Sequence, residues 1–418
     1  MKKKNKPSVF KKVNAFLHLW LGLISGLVVL VVSVTGCLFS FQKEISELVS
    51  HHQQFIKPPS ENAKTLSITQ LQYLANNKLN GKASFITTYT DPGRAWEFMQ
   101  YEAGDQNAFW ILNTIKTYKS AFINPYTGEI LGLKDYKKDF FVIVKYIHWS
   151  LLLNDKYGQA IVGYSTLIFV LLMISGLVLW WPKNLKKVNV DKSFKIKWTT
   201  SFKRLNYDLH NVLGFYALFI GIILGLTGMV WAMKWFETTV YVVANQSKTP
   251  PKFINSTSDS TQKALKNPLD IAFYTAKNSI PKVERMGLSP ATGTKGVIYV
   301  SGYRGKETYY DYDQLQFDQY TGKLLNRRNF DDKNNGEKII GMNYDIHVGA
   351  IWGLSGKILA FIISLICASL PVTGLIIWLG KKKKSKNKQQ KVRRSLRHLK
   401  SFQQREVLLN PPDASASL

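Results

Sequence analysis

A membrane α-helical bundle of four spans with two α+β domains outside the membrane, internally duplicated, is the fold this sequence of 418 residues predicts. Three observations lead there. Four apolar runs, at about 17–41, 158–181, 211–234 and 355–379, can each cross a hydrocarbon core of about 30 Å, which takes roughly 20 residues. Basic residues cluster on one side of those runs. Histidines also recur at matched places: His18 stands seventeen residues before Thr35-Gly36, and His210 seventeen before Thr227-Gly228.

The net charge of +29 invites a nucleic-acid reading until it is mapped. Residues 1–17, 182–209 and 381–418 hold 26 of the 56 Lys and Arg in 83 residues, against only Asp191, Asp208, Glu406 and Asp413. In a four-span chain these segments share one side, and positive loops stay in the cytoplasm. Topology therefore accounts for the charge, and no nucleic-acid partner is expected. The expected order is a basic cytoplasmic tail (1–16), first span (17–41), outer domain with an interfacial helix (42–157) and second span (158–181). A basic loop (182–210), third span (211–234), second outer domain with its interfacial helix (235–354), fourth span (355–379) and basic tail (380–418) follow. Cys37 and Cys367 lie within spans, so disulfides do not hold the outer domains. Val34-Thr35-Gly36-Cys37 has the look of a lipoprotein cleavage site, but Thr227-Gly228-Met229 stands at the equivalent place without cysteine. The Thr-Gly pairs read better as small residues that let helices approach.

The outer domains repeat as well. Tyr126-Thr127-Gly128 precedes His148, and Tyr320-Thr321-Gly322 precedes His347; each supplies a turn with a strand after it. Residues 83–89 and 296–300 read as strands, and Leu66 to Leu79 and Pro268 to Asn278 carry helical spacing. Each domain is expected to be a small sheet with one covering helix. Tyr310 and Tyr312, two apart, are expected on one sheet face.

Four of the seven histidines thus stand beside spans at repeated positions. Neutral imidazoles paired between membrane helices are a means of holding haem iron. His18 and His210 are expected at one membrane face, where a helix N-terminus would disfavour imidazolium. His148 and His347 are expected at the other, on short amphipathic stretches along the interface. One pair per face suits two haems. Asn206-Tyr207-Asp208-Leu209-His210 and Asn343-Tyr344-Asp345-Ile346-His347 match at four of five positions, so Asp208 and Asp345 are candidates to hold the second imidazole nitrogen, with helix capping as the alternative. His51, His52 and His398 have no such counterpart and read as solvated.

The Tyr-Thr-Gly-(Glu/Lys)-x-Leu turn, the histidine after it and a span ending in Gly-Leu-x-(Leu/Ile)-Trp resemble the PepSY-associated transmembrane helix family. The resemblance rests on His148-Trp149-Ser150 with Gly176-Leu177-Val178-Leu179-Trp180, and on His347-Val348-Gly349 with Thr373-Gly374-Leu375-Ile376-Ile377-Trp378. It implies four spans with two PepSY-like domains, haem b, the bacterial inner membrane with both termini cytoplasmic, and electron transfer of the kind ferric-siderophore reductases perform. Its alternative implication is a regulatory protein that restrains a peptidase or senses envelope state. The sequence shows no Gly-x-Gly-x-x-Gly after a strand, so a membrane quinol or a separate reductase is the expected electron donor, and a ferric siderophore or other ferric chelate the expected substrate.

Overall fold

Among the described residues of the computed structural model (8–58, 60, 63–182, 184, 186–249, 254–305 and 307–409), four helices are long and apolar enough to cross a membrane. They are Val9–Phe39, Asp155–Trp180, Phe202–Ala232 and Ala350–Lys382. The ends of the two basic tails, 1–7 and 410–418, lie outside the described residues. The first and third helices begin about two turns earlier than their apolar runs. Ser8 starts the first by accepting a hydrogen bond from the Lys11 backbone N–H at 3.3 Å, as N-cap serines do. His18 therefore stands more than two turns inside a helix. His210 lies on a π-helical stretch, Leu209–Leu213, within the third. Neither imidazole occupies a helix N-terminus, so the dipole expected to keep them neutral does not act there. Glycines let the helices close: a Cβ on Gly225 would stand 2.8 Å from Val170, and one on Gly26 would stand 3.4 Å from Pro371.

Strands β1 (Phe85–Tyr89), β2 (Trp96–Ala103), β3 (Ile115–Ile123) and β4 (Ile130–Asp135) form an antiparallel meander, and so do β5 (Arg285–Ser289), β6 (Val297–Tyr303), β7 (Tyr312–Asp318) and β8 (Leu324–Arg328). The two sets are joined. β1 pairs with β5, Ile86 opposite Leu288 and Tyr89 opposite Arg285, giving one eight-stranded sheet in the order β4-β3-β2-β1-β5-β6-β7-β8. Two separate small sheets would each expose an edge at β1 and β5; pairing them removes both edges.

One core serves both halves. Helices Ile68–Leu79 and Pro268–Ser279 lay Ile68, Leu71 and Ala75, and Leu269, Ala272, Phe273 and Ala276, against Ile86, Phe98, Leu288, Val300, Leu315 and Phe317. Those helical positions recur at three- and four-residue spacing, and the strand positions alternate, as one buried face of each requires. The β3–β4 and β7–β8 turns need glycine: Gly128 and Gly322 have φ of +77° and +69°, and a Cβ there would stand 2.7 Å from Leu74 and 2.8 Å from Ile271.

Sheet and spans meet through charge. Lys357 of the fourth span is 5% exposed and reaches Glu44 and Glu307, each at 2.6 Å, while Lys43 reaches Glu307 at 2.9 Å. Burial acts to raise the Glu307 pKa, but Lys357 and Lys43 outweigh it and hold it below the usual glutamate range. A depressed carboxylate contributes stability above its unfolded pKa and loses it as pH falls through the folded one. Lys357→Met should therefore cost about 1–3 kcal/mol at neutral pH, less than about 3–5 for a fully buried pair because the carboxylates are a third exposed. Thermal unfolding of the detergent-solubilised chain checks this: the gap to wild type should narrow at about pH 4. A gap independent of pH would show that the cluster does not act through charge.

Candidate functional site

Each of the four histidines meets a Ser-Gly or Thr-Gly pair on another helix. His18 Nδ1 lies 2.6 Å from Ser175 Oγ, and His210 Nδ1 lies 2.9 Å from Thr373 Oγ1. His148 Nδ1 lies 3.2 Å from Thr35 Oγ1 and 2.9 Å from the Val32 carbonyl, and His347 Nδ1 lies 2.9 Å from Thr227 Oγ1. The glycine beside each hydroxyl makes room for the ring. A Cβ on Gly176, Gly374, Gly36 or Gly228 would stand 3.3, 3.3, 3.3 or 3.4 Å from Cε1 of His18, His210, His148 or His347. The Thr-Gly pairs thus bring helices close, as the sequence implies, and the contact they permit is with an imidazole.

The hydroxyls also decide the tautomer. A hydroxyl has one proton to donate. Ser175 Oγ donates it to Leu172 O at 3.1 Å, Thr373 Oγ1 to Ser369 O at 2.9 Å, Thr35 Oγ1 to Val31 O at 2.8 Å and Thr227 Oγ1 to Ile223 O at 2.8 Å. Each oxygen is left only to accept, so each imidazole donates Nδ1–H and turns the lone pair onto Nε2. For His148 and His347, which precede their spans, burial pushes the pKa below the usual imidazole range; the Val32 carbonyl offsets this only in part at His148, while the neighbouring His148 ring lowers His347 further, to about 3. Burial thus favours the neutral ring at both.

The rings then meet in two pairs across the halves of the chain. His18 and His210 have centroids 6.4 Å apart at 89°, and His148 and His347 have centroids 5.9 Å apart at 66°. Metal–imidazole bonds are about 2 Å long. With each ring centre roughly 1 Å behind its nitrogen, two imidazoles on one metal stand about 6 Å apart. Both pairs fit. Among the described residues no group of three or more His, Cys, Asp or Glu side chains meets, so a metal held by either pair must bring its other ligands, as iron in a porphyrin does. Beside the second pair lies a cavity of about 470 Å³, lined chiefly by apolar and small side chains of all four spans, Val32, Val162, Phe169, Leu224 and Ala360 among them. Its size falls within the roughly 300–1,000 Å³ of cofactor pockets.

Asp208 and Asp345 do not meet the imidazoles. Asp208 pairs with Arg204 at 2.7 Å, and Asp345 accepts the backbone N–H groups of Tyr309 and Tyr310, each at 3.0 Å. The matched pentapeptides contribute through their asparagines. Asn14, Asn206 and Asn343, each four residues before a histidine, donate to the carbonyls of Ser175, Thr373 and Thr227 at 3.0 Å, bracing the residue that receives the ring. Val144 stands at that place before His148. Spacing His18 and His210 against Thr35 and Thr227 gave half the signal, since each hydroxyl serves a histidine other than its own neighbour.

Ring contacts lead from the second pair toward the sheet: His347 to Trp231 at 5.4 Å, Trp231 to Tyr344 at 6.3 Å, Tyr344 to Tyr309 at 4.9 Å and Tyr309 to Tyr303 at 6.3 Å. The Arg285 guanidinium lies over both Tyr303 and Tyr309, at 4.4 and 4.3 Å. Tyr310 and Tyr312 do not share a strand face: β7 begins at Tyr312, whose ring meets Tyr303, while Tyr310 packs on Phe330. Away from this region, His51 stacks on Phe55 at 4.5 Å.

The sequence model of one family, the PepSY-associated TM region, matches residues 15–381. The chain belongs to that family. The match takes in all four histidines and both halves of the sheet, so this PepSY-associated chain carries its imidazole pairs within the part that defines the family. No curated protein matches it.

Replacing Gly374 with Val should push His210 off Thr373, and Gly228→Val should push His347 off Thr227, so each should lower the thermal midpoint of the detergent-solubilised chain. Thr227→Val and Ser175→Ala, which remove one hydrogen bond of about 1 kcal/mol, should lower it less. An unchanged midpoint in the glycine variants would contradict the packing described.

Proposed function

We propose that this protein is a di-haem, b-type membrane reductase that delivers electrons to a ferric chelate, a siderophore complex being the favoured substrate class, on the sheet side of the membrane. The observation that supports it most is the geometry of the two imidazole pairs, each ring held through Nδ1 and each pair with its ring centres about as far apart as two imidazoles on one metal. Haem b, when bound, supplies a one-electron carrier at each of two levels of the bundle. The residues of the chain do the rest. His18 with His210 and His148 with His347 would hold the iron; their serine and threonine partners orient the rings; the apolar spans keep water away.

In this reading the chain is a tandem duplicate, since each half contributes one histidine to each pair and one hydroxyl to each level. The basic segments lie in the cytoplasm of a bacterial inner membrane and the sheet lies outside it. A membrane quinol or a separate reductase donates electrons on the His18–His210 side. The ring contacts from His347 to Tyr303 favour the sheet as the place of delivery. Reducing Fe(III) to Fe(II) weakens its binding by hard oxygen donors and frees the iron.

The dithionite-reduced spectrum of the purified chain should be that of b-type haem at two per chain. His148→Ala or His347→Ala should leave the haem of the other pair, and His18→Ala or His210→Ala should do the reverse. In stopped-flow mixing, the reduced protein should be reoxidised by one class of ferric chelate in preference to others. A colourless protein that captures a peptidase would replace this reading with a regulatory one. Reoxidation by quinone alone would keep the haems and remove the iron-reductase role.

A further inference from the structure

The cavity beside His148 and His347 contains one ammonium group that no carboxylate of the site neutralises. Lys145 lines it, one turn before His148 on the helix Phe140–Ser150, and residues three apart on a helix face the same way. Among the described residues Lys145 makes no ion pair: its Nζ lies 4.6 Å over the Tyr146 ring. Asp155, the acid nearest in effect, accepts the Trp149 indole N–H at 2.9 Å. Burial holds the Lys145 pKa below the usual lysine range, and the attraction of Asp155 offsets this only in part. An ammonium at an apolar wall without a counter-charge is costly, and a bound anion would relieve that cost. Gln159, one turn into the second span, adds an amide to the same lining.

We propose that Lys145 is the carboxylate anchor of this cavity, pairing with an acidic side chain of the porphyrin whose iron His148 and His347 hold, and so turning the acidic edge of the ring toward the sheet side. This rests on the haem reading above. The anchor sets the orientation of the ring about the axis between the histidines, which two axial ligands alone leave free. Lys145 is here a positioning residue and takes no part in ligating iron.

The test compares ferric haem with its dimethyl ester, which keeps the ring and iron but loses the negative charges. Both are titrated into the full haem-depleted chain in detergent, and the site of interest is the one that His347→Ala abolishes. Wild type should prefer the acid to the ester by roughly ten- to a hundredfold, the worth of one charge-assisted hydrogen bond. Lys145→Met should remove the preference by weakening the acid alone, while Lys145→Arg should keep it. A preference that survives in Lys145→Met, or its absence from wild type that binds both compounds, overturns the anchor and leaves the haem reading standing. Binding of neither compound by wild type at that site overturns both.

Discussion

A hydroxyl can donate only one proton, and in this protein four of them donate it to their own helix. Ser175, Thr373, Thr35 and Thr227 each bond back to a carbonyl three or four residues before. What remains is an acceptor aimed across the helix interface, and each histidine meets one with Nδ1. The tautomer, the ring orientation and the direction of the Nε2 lone pair follow from that one restriction. It also dictates the packing. An imidazole packs closely on such a hydroxyl because the next residue is glycine, where a Cβ would crowd the ring at 3.3–3.4 Å, hence the four glycines.

That exchange links the helices in a closed pattern. The first span receives His148 and gives His18 to the second; the third receives His347 and gives His210 to the fourth. The ring pairs then cross between the halves. The sheet obeys the same plan, since β1 and β5, one from each half, are the strands that join. Asp345 carries the plan across the boundary: it takes the backbone N–H groups of Tyr309 and Tyr310 while standing two residues from His347. The connection between β6 and β7 is therefore tied to the histidine helix by a buried carboxylate, and Lys357, through Glu307 of the same connection, ties it to the fourth span.

Much of this was legible in the sequence because it is local. Apolar runs of membrane length, Tyr-Thr-Gly turns at Gly128 and Gly322, and strand alternation all declare themselves within a few residues. Long-range partnerships do not. The hydroxyls that meet His18 and His210 lie 157 and 163 residues away, and nothing local distinguishes them from small residues of ordinary helix packing. Joining of the two meanders was hidden for the same reason, as β1 alone reads like any edge strand. Asp208 and Asp345 misled because capping, ion pairing and imidazole support all favour a carboxylate near a helical histidine. Asn206 and Asn343 were in the same pentapeptides, but an amide that braces a neighbouring carbonyl leaves no periodic trace.

In the proposed reading two imidazoles, held by Nδ1 and binding through Nε2, coordinate one iron at each of two levels. Electron paramagnetic resonance of the oxidised full chain tests it most directly, because the angle between axial imidazole planes shapes the low-spin ferric signal. Rings at 89° and 66° predict two low-spin, highly anisotropic signals, the more anisotropic one lost with His18 or His210 and the other with His148 or His347. High-spin ferric iron, a single signal insensitive to either pair, or no iron signal would contradict the account.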